Sequence, residues 1–254
     1  MNPWYIASSA ALSTISGVTA YGACYPQSQL FGKSIYRTKS PHKLAITFDD
    51  GPNPAITPKL LDLLDRYAAQ ATFFVVGKFV RECPDLLRET VARGHAVGNH
   101  TETHPNLFWL TTSEIRDELR RCDDAISSAI GIKPKWFRPP FGFRNPWVVS
   151  AANAQSQGTV MWTLMPGDWK SKPADWLIAR MKPIAKHAER FANSRVAKAE
   201  SAAGDILCLH DGDFRKLNAD RFRTLQALEY WLPRWRNSAL EFVTIDEAVR
   251  TPAL

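Results

Sequence analysis

The sequence lacks several patterns that mark common protein classes. Its 254 residues contain no nucleic-acid-binding motif and no long basic run, so we predict no nucleic-acid partner despite a formal net charge of +7. Four cysteines are present and none forms a C-x-x-C pair, which argues against a cysteine zinc site. Their spacing supports no disulfide. Cys122 and Cys208 fall in apolar patterns and are predicted to be small core residues.

Charge is also missing from residues 2–32. Within them, residues 4–23 are long enough to cross a bilayer, although they are rich in Ser, Thr and Gly. The lack of basic residues near Met1 argues against a cleaved signal peptide. The basic residues that follow, beginning with Lys33 and Arg37, would by the positive-inside rule keep the rest of the chain in the cytoplasm. We favour an uncleaved membrane-associated segment over a helix packed on the domain.

After Lys43 no repeat or low-complexity linker interrupts the chain. We therefore predict an N-terminal apolar segment with a basic linker over residues 1–42 and one domain over residues 43–254. Apolar runs alternate with amphipathic helical patterns, which predicts an α/β fold with a parallel sheet and right-handed crossovers. The seven predicted strands, a number close to that of a barrel, are residues 43–48, 71–76, 95–99, 136–138, 159–164, 205–209 and 240–245.

Several helix ends are marked by capping residues. Thr57 and Pro58 predict a helix that starts with a hydroxyl cap, and Thr111 begins a capping box. A long helical pattern covers residues 175–199 and contains a proline. Its basic part, residues 182–198, has four interpretations: an inserted lid, a membrane-facing helix, a contact for an anionic polymer or an ordinary solvated helix.

Two consecutive carboxylates, Asp49 and Asp50, follow the first predicted strand of the domain, directly before a Gly-Pro turn. Neighbouring strand residues point to opposite faces, so both carboxylates can face one pocket only where the chain leaves the sheet. That edge of a parallel sheet is where active sites lie in α/β folds. Because adjacent carboxylates repel, the pair predicts a nearby cation or arginine.

His100 and His104 follow a later strand in the segment His-Thr-Glu-Thr-His. On a helical turn, residues four apart share a face, so both imidazoles would reach one ion. With Asp50 they form a two-histidine, one-carboxylate set, which suits Zn²⁺, Co²⁺ or Fe²⁺ and leaves positions for water and substrate. The spacing alone is a weak indication, and the groups at the other strand ends strengthen it.

Three further strand ends carry titratable groups. Arg138 precedes two prolines and is placed to pair with a carboxylate. Asp168 and His210 follow later strands, and a histidine oriented by a carboxylate is typical of a general acid. Each residue alone also has a structural interpretation, as an ion pair, a turn residue or a buried histidine. In a parallel barrel all five strand ends meet at one rim, which predicts a single site.

Together these segments resemble the five ordered motifs of polysaccharide deacetylases, the NodB-homology domain of carbohydrate esterase family 4. The resemblance covers residues 43–249, and its most specific motifs are TFDDGP at 47–52 and HTETH at 100–104. It implies a distorted (β/α)7 barrel, in agreement with the strand count. The remaining motifs are RPPFG at 138–142, DW at 168–169 and LCLHD at 207–211.

The resemblance also implies a cofactor, a substrate and roles for individual residues. The cofactor would be one divalent metal, Zn²⁺ first and Co²⁺ as the alternative, and the substrate an N-acetylated carbohydrate. The metal ligands would be Asp50, His100 and His104. Asp49 would be the general base, held by Arg138, and His210 the general acid, oriented by Asp168. The backbone N–H of Phe141 would stabilise the oxyanion. The walls of the acetyl pocket would be Leu209 and Trp169.

The leading prediction is a metal-dependent hydrolase that removes N-acetyl or O-acetyl groups from a sugar polymer or oligosaccharide. One alternative is removal of an acyl or formyl group from a lipid-linked sugar or small amide on the same fold. Another is a silent carbohydrate-binding protein, which would be expected to lose Asp49, a metal ligand or His210, yet all are present. Related enzymes usually work on the cell envelope, and we favour that membrane-associated location; the flanking charge leaves the cytoplasm as the alternative. No pattern predicts an oligomeric state.

Overall fold

The computed structural model describes residues 16–193 and 203–250. Its centre is an eight-stranded sheet in which every ladder is parallel. The strands are β1 (Ser34–Ile35), β2 (Lys43–Gly51), β3 (Ala71–Val75), β4 (Ala96–Asn99), β5 (Trp136–Phe137), β6 (Gly158–Val160), β7 (Asp205–His210) and β8 (Glu241–Phe242). Their order across the sheet is β1-β6-β5-β4-β3-β2-β7, and β8 pairs with the start of β2.

Helices connect the strands and cover the outer face of the sheet. They are α1 (Thr57–Arg66), α2 (Gly77–Glu82), α3 (Pro84–Ala92), α4 (Thr112–Ile130), α5 (Pro146–Ala154), α6 (Ala174–Asn193), α7 (Phe222–Asn237) and α8 (Ile245–Ala248). Two short 3-10 helices, Leu107–Trp109 and Pro140–Gly142, lie in loops. This alternation confirms the predicted α/β class.

The barrel is distorted where β6 approaches β7. Residues after β6 bridge to β7 singly: Thr163 N donates to Ile206 O over 3.0 Å, and Cys208 N donates to Leu164 O over 2.9 Å. These isolated contacts stand where a closed barrel would have a full ladder. The predicted distorted (β/α)7 barrel is therefore confirmed. Each of the seven predicted strands has an observed counterpart. The additional strand β1 was not predicted, because two residues carry no detectable period.

Side chains along the central strands point alternately to the two faces of the sheet, which divides the interior into two layers. Ile46 and Phe48 of β2 pack outward into a large apolar core with helices α1, α4, α6 and α7. Ala45 faces inward to a smaller cluster that includes Cys208. Cys122 and Cys208 are both buried, as predicted for core residues. Because every second residue of β2 points inward, Asp49 at the rim lies on the same inward face as Ala45.

Two of the helix starts show different outcomes. The capping box of α4 is confirmed: Thr111 accepts a hydrogen bond from Glu114 N, and the Glu114 side chain binds back to Thr111. The predicted hydroxyl cap of α1 is wrong, because the N-cap is Ile56 without a side-chain cap bond. The Thr57 hydroxyl instead accepts a hydrogen bond from Asn53 N over 2.9 Å and donates one to the Asp211 carboxylate.

The predicted membrane-associated segment lies mostly outside the described residues. Its last part, residues 16–23, belongs to a helical stretch that runs to residue 24. Among residues 16–193 and 203–250, no helix is long and apolar enough to cross a membrane. The division of the chain at residue 43 stays a prediction, although Ser34–Ile35 already forms a strand of the sheet.

A buried arginine holds the N-terminal stretch against a loop of the rim. Arg144 is 1% exposed, and its Nη2 donates to the carbonyls of Tyr25 and Ser28, each over 2.8 Å. Its backbone N–H donates to Ala23 O over 3.2 Å. Residues 23–28 are thus fastened to the segment that follows the Pro140–Gly142 turn.

The basic helix is an integral layer of the domain as far as it is described. In α6, Leu177, Met181, Ile184 and Ala188 are buried in the large core, and the Trp231 side chain of α7 donates to Ile178 O over 3.0 Å. The lysines at 182 and 186 lie on the opposite, exposed face. The rest of the predicted basic stretch, residues 194–198, lies outside the described residues, so its contact with a membrane or polymer stays a prediction.

Candidate active site

Asp49 and Asp50 face one pocket because strand β2 contains a bulge. Asp49 pairs with Phe74 of β3, but the ladder then skips to Gly51 and Val75. Asp50, the extra residue, has a φ of 72°, a left-handed conformation that Asp tolerates better than most residues. The carboxylates are therefore brought together within the strand, and not by its end as predicted.

His100 and His104 converge on the carboxylate of Asp50. Asp50 Oδ1 lies 3.2 Å from His104 Nε2 and 3.6 Å from His100 Nε2, and all three residues are buried. The expected helical turn is absent at residues 100–104. Positive φ values at Thr101 and His104, 69° and 62°, curl the loop instead and produce the same convergence.

The atoms that face each other in this cluster fit a divalent cation. His100 Nδ1 lies 2.7 Å from Arg138 O and carries a proton toward it, so Nε2 is the ring nitrogen that faces Asp50. Burial lowers the pKa of His104 to about 2, so this imidazole is neutral. Asp50 Oδ1 is buried without a hydrogen-bond partner in the described structure. Facing acceptor atoms from two imidazoles and a carboxylate are the ligands that Zn²⁺ and Co²⁺ prefer.

Arg138 fixes the second carboxylate. The Nη1 group donates to Asp49 Oδ1 and to Thr47 Oγ1, each over 2.7 Å, and the arginine is fully buried against the ring of Phe74. Burial opposes ionisation of Asp49, but the guanidinium and nearby imidazoles outweigh it and lower the pKa of this carboxyl. Asp49 is therefore ionised at neutral pH, the state that a general base needs.

His210 and Asp168 form a second ion pair on the other side of the pocket. His210 Nδ1 lies 2.8 Å from Asp168 Oδ1, and His210 N donates to Asp168 Oδ2 over 2.7 Å. Thr224 Oγ1 donates to the same oxygen over 2.9 Å. Burial favours the neutral imidazole, but the Asp168 carboxylate outweighs it and raises the pKa of His210 to about 9. The imidazolium is thus the dominant form at neutral pH and has a proton to give.

The two neighbouring aspartates and the three histidines line one pocket of about 230 Å³. Aromatic rings form much of its wall: Trp169 meets His210 edge-on at 5.2 Å, and Phe141 meets His104 edge-on at 4.7 Å. Phe141 has a φ of 59° and is half-exposed. The lining residues are Asp49, Asp50, His100, His104, Pro139, Phe141, Gly142, Trp162, Met165, Trp169, His210, Asp213, Phe214, Arg215 and Arg221.

Leu209 does not belong to this pocket, and the predicted acetyl-pocket role is wrong for it. It is fully buried in the large core on the helical side of the sheet. In a strand, residues two apart share a face, so the neighbour of His210 on the pocket side is Cys208. The Cys208 Sγ indeed lies 3.3 Å from Asp49 Oδ2. The alternation of side chains along β7 would have predicted that Cys208, and not Leu209, faces the pocket.

Asp211 is a further buried acid that the sequence did not identify as a site residue. Its carboxylate accepts a hydrogen bond from Thr57, and its backbone N–H donates to Asp49 O over 3.2 Å. Burial raises the pKa of Asp211 to about 7. A Cβ at Gly51 would lie 2.3 Å from Asp211 Oδ2, so only glycine fits beside this acid. Asp211 thus braces the turn that follows the two aspartates.

Comparison with known proteins identifies the family of this chain. The family model described as polysaccharide deacetylase matches residues 36–158. A peptidoglycan-N-acetylglucosamine deacetylase of Bacillus cereus is 36% identical over 213 residues, which cover 82% of this chain and 88% of the relative. A chitooligosaccharide deacetylase of Bradyrhizobium sp. is 34% identical over 203 residues, with coverage of 77% and 85%.

Solved structures share the fold. A crystal structure of a peptidoglycan N-acetylglucosamine deacetylase in complex with 4-naphthalen-1-yl-N-oxidanyl-benzamide superposes with a TM-score of 0.73 and 26% identity, covering 86% of this chain and 92% of the other. A pseudoenzyme of the CE4 family from Bacillus anthracis superposes with a TM-score of 0.71 and 27% identity, covering 86% and 69%. By its sequence and its fold, this chain belongs to the polysaccharide deacetylase family, carbohydrate esterase family 4.

Proposed function

We propose that this chain is a metal-dependent deacetylase of an N-acetylated glycan, with N-acetylglucosamine units of peptidoglycan as the first candidate substrate. The observation that carries the proposal is the pairing of Arg138 with Asp49 and of Asp168 with His210 around one histidine–aspartate cluster. The names of the most similar relatives support the choice of N-acetylglucosamine.

Asp50, His100 and His104 would hold the divalent cation, Zn²⁺ in the first instance. When bound, such a cation polarises an acetamide carbonyl and acidifies a water molecule. The described residues of the cluster present one carboxylate oxygen and two imidazole nitrogens, which leaves room for ligands from solvent and substrate.

Asp49 is proposed to take the proton of the attacking water. Its Oδ1 is held by Arg138 and its lowered pKa keeps it ionised, so it is available as a base near neutral pH. As negative charge develops on the acetyl oxygen, the backbone N–H of Phe141 is proposed to stabilise it; one donor of this kind contributes about 3–4 kcal/mol in well-studied hydrolases.

His210 is proposed to protonate the leaving amine. An amine departs poorly as an anion, so a positioned proton donor is needed to break the carbon–nitrogen bond. Asp168 orients the imidazole and keeps it charged. Trp169 lies against the His210 ring and is proposed to line the acetyl pocket together with Cys208, in place of Leu209.

The test is acetate release from N-acetylglucosamine oligomers and from peptidoglycan glycan strands, with and without Zn²⁺ or Co²⁺. Asp49→Asn should lower release by about 10²–10⁴-fold, the usual contribution of a general base, while the variant still binds one metal ion. The matched control is Asp85→Asn, whose side chain is 92% exposed. Metal-independent release, or full activity of Asp49→Asn, would contradict the proposed mechanism.

A silent carbohydrate-binding protein is the second candidate, because one structural neighbour is described as a pseudoenzyme. This chain differs from the expected silent form in keeping both ion pairs and the histidine–aspartate cluster. Binding of glycan oligomers without acetate release from any N-acetylated or O-acetylated sugar, with one equivalent of metal bound, would favour the silent protein. Release from lipid-linked sugars alone would instead favour the deacylase alternative.

A further inference from the structure

A second set of metal-binding atoms adjoins the cluster of Asp50 and the two histidines. Ligand atoms of Asp49, Cys208 and His210 all lie within 4.8 Å of one another. The register of the sheet produces this set, because Asp49 pairs with His210 across β2 and β7 and Cys208 faces the same side as His210. We propose that this set is an inhibitory site for a soft or borderline divalent cation, such as Cd²⁺ or a second Zn²⁺.

Neighbouring groups already orient two of the three ligands. Arg138 occupies Asp49 Oδ1 and leaves Oδ2, the oxygen that lies 3.3 Å from Cys208 Sγ. Asp168 occupies His210 Nδ1, so the other ring nitrogen is the one left for a cation. A histidine whose second nitrogen bonds to a carboxylate is the usual arrangement around protein-bound zinc, where the outer partner fixes the ring.

The donor set distinguishes this site from the one at Asp50. One sulfur, one nitrogen and one oxygen suit a tetrahedral cation with a fourth position for solvent. Sulfur selects soft cations, whereas the described ligands at Asp50 are oxygen and nitrogen only. Binding releases the thiol proton of Cys208 and the imidazolium proton of His210 to solvent, with no change of oxidation state. The thiolate and the Asp49 carboxylate together balance the two charges of the cation.

The site has a functional consequence that rests on the proposed function. Asp49 and His210 are the proposed base and acid, and a cation bound to both would remove them from the reaction. Activity should therefore rise with the first equivalent of metal and fall with a second. The second equivalent binds more weakly, because it displaces two protons and lies beside another cation.

The test uses the full chain with its other accessible thiols removed, as Cys24→Ser with Cys83→Ser. Co²⁺ is titrated into the protein, bound metal is counted after dialysis, and the near-ultraviolet absorption is followed. We expect two equivalents, with sulfur-to-cobalt charge-transfer absorption only when the second binds. Adding Cys208→Ser should remove both the second equivalent and this absorption. Adding Cys122→Ser instead should leave both the second equivalent and the absorption unchanged, because the buried Cys122 thiol donates to the carbonyl of Val75.

A second variant keeps the test decisive if Cys208→Ser fails to fold. His210→Gln leaves the thiol in place and should still lose the second equivalent. Binding of one equivalent only, or thiolate absorption that persists in Cys208→Ser, would overturn the proposed site. Metal is counted without substrate, so the binding test does not depend on the proposed deacetylase activity. If that activity is absent, the protein would still bind two equivalents of metal but would release no acetate when one equivalent is bound.

Discussion

Asp49 and His210 lie opposite each other on the parallel strands β2 and β7, and each is held by a partner of opposite charge. Arg138 lowers the pKa of Asp49 against the effect of burial, whereas Asp168 raises the pKa of His210 to about 9. Two titratable groups whose environments separate their pKa values are typical of a base and an acid that act together. At neutral pH the proposed base is ionised and the proposed acid is protonated, so both are in the form that the proposed reaction needs.

Replacing His210 should affect amides more than esters. His210→Ala should reduce acetate release from N-acetylglucosamine oligomers by about 10²–10⁴-fold, because an amine cannot leave without a proton. Hydrolysis of an activated acetate ester such as p-nitrophenyl acetate should fall much less, since its leaving group needs no proton. The two rates are measured on the same preparation of enzyme. Equal losses on both substrates would contradict a general-acid role.

Zinc should stabilise the protein through Asp50. A ligand at 100 times its dissociation constant stabilises the folded state by about 2.7 kcal/mol, so buffered Zn²⁺ should raise the melting temperature. Asp50→Asn should remove most of this effect, because one of the three ligands then lacks its charge. Differential scanning fluorimetry with and without zinc gives the comparison, and Asp85→Asn serves as control. A zinc-dependent shift of undiminished size in Asp50→Asn would contradict Asp50 as a ligand.

The His210–Asp168 pair should make stability depend on pH in the alkaline range. The pKa of His210 is raised from 6.5 to about 9 by folding. Its stabilising contribution is therefore complete below pH 6.5 and decreases as pH rises through 9. The loss should be about 3 kcal/mol by pH 9. Urea unfolding in the presence of a chelator measures this dependence.

The matched comparison is His210→Gln, whose unfolding free energy should change much less between pH 6.5 and 9. The difference between the two curves isolates His210, because other buried groups, such as the thiols, are common to both proteins. Parallel curves would show that the imidazole is not charged in the folded protein. Asp168→Asn should give a curve close to that of His210→Gln, since the raised pKa depends on its carboxylate.

Arg144 should contribute to stability through its contacts with the N-terminal stretch. Arg144→Met removes the donors to the carbonyls of Tyr25 and Ser28 and leaves these acceptors without their partner. Hydrogen bonds from a charged donor are worth about 1.5–3 kcal/mol each, so we expect a loss of about 3 kcal/mol in urea unfolding. Arg120→Met, which changes a largely exposed arginine, is the control. A loss no larger than that of the control would contradict the role of Arg144.

The outcome for the strand-end motifs shows why some predictions from sequence succeed. Asp49, Arg138, Asp168 and His210 were each found from a local pattern, because the carboxyl ends of parallel strands must meet at one edge of the sheet. Leu209 was misassigned because the choice between it and Cys208 depends on strand phase. His210 faces the pocket, so the residue two before it does so too. Applied from His210, the same alternation would have identified Cys208.

Local pattern alone determined the alternation of strands and helices, the capping box at Thr111 and the candidate histidine–aspartate ligand set. These features follow from hydrophobic period, capping chemistry and ligand type, which depend on residues close in sequence. Only the tertiary structure decided how the carboxylates meet, through a bulge at Asp50 with positive φ. It also decided that Cys208 contacts Asp49 and that Arg144 fastens residues 23–28 to the rim. Those contacts join residues more than 100 positions apart, and strand register and packing determine them.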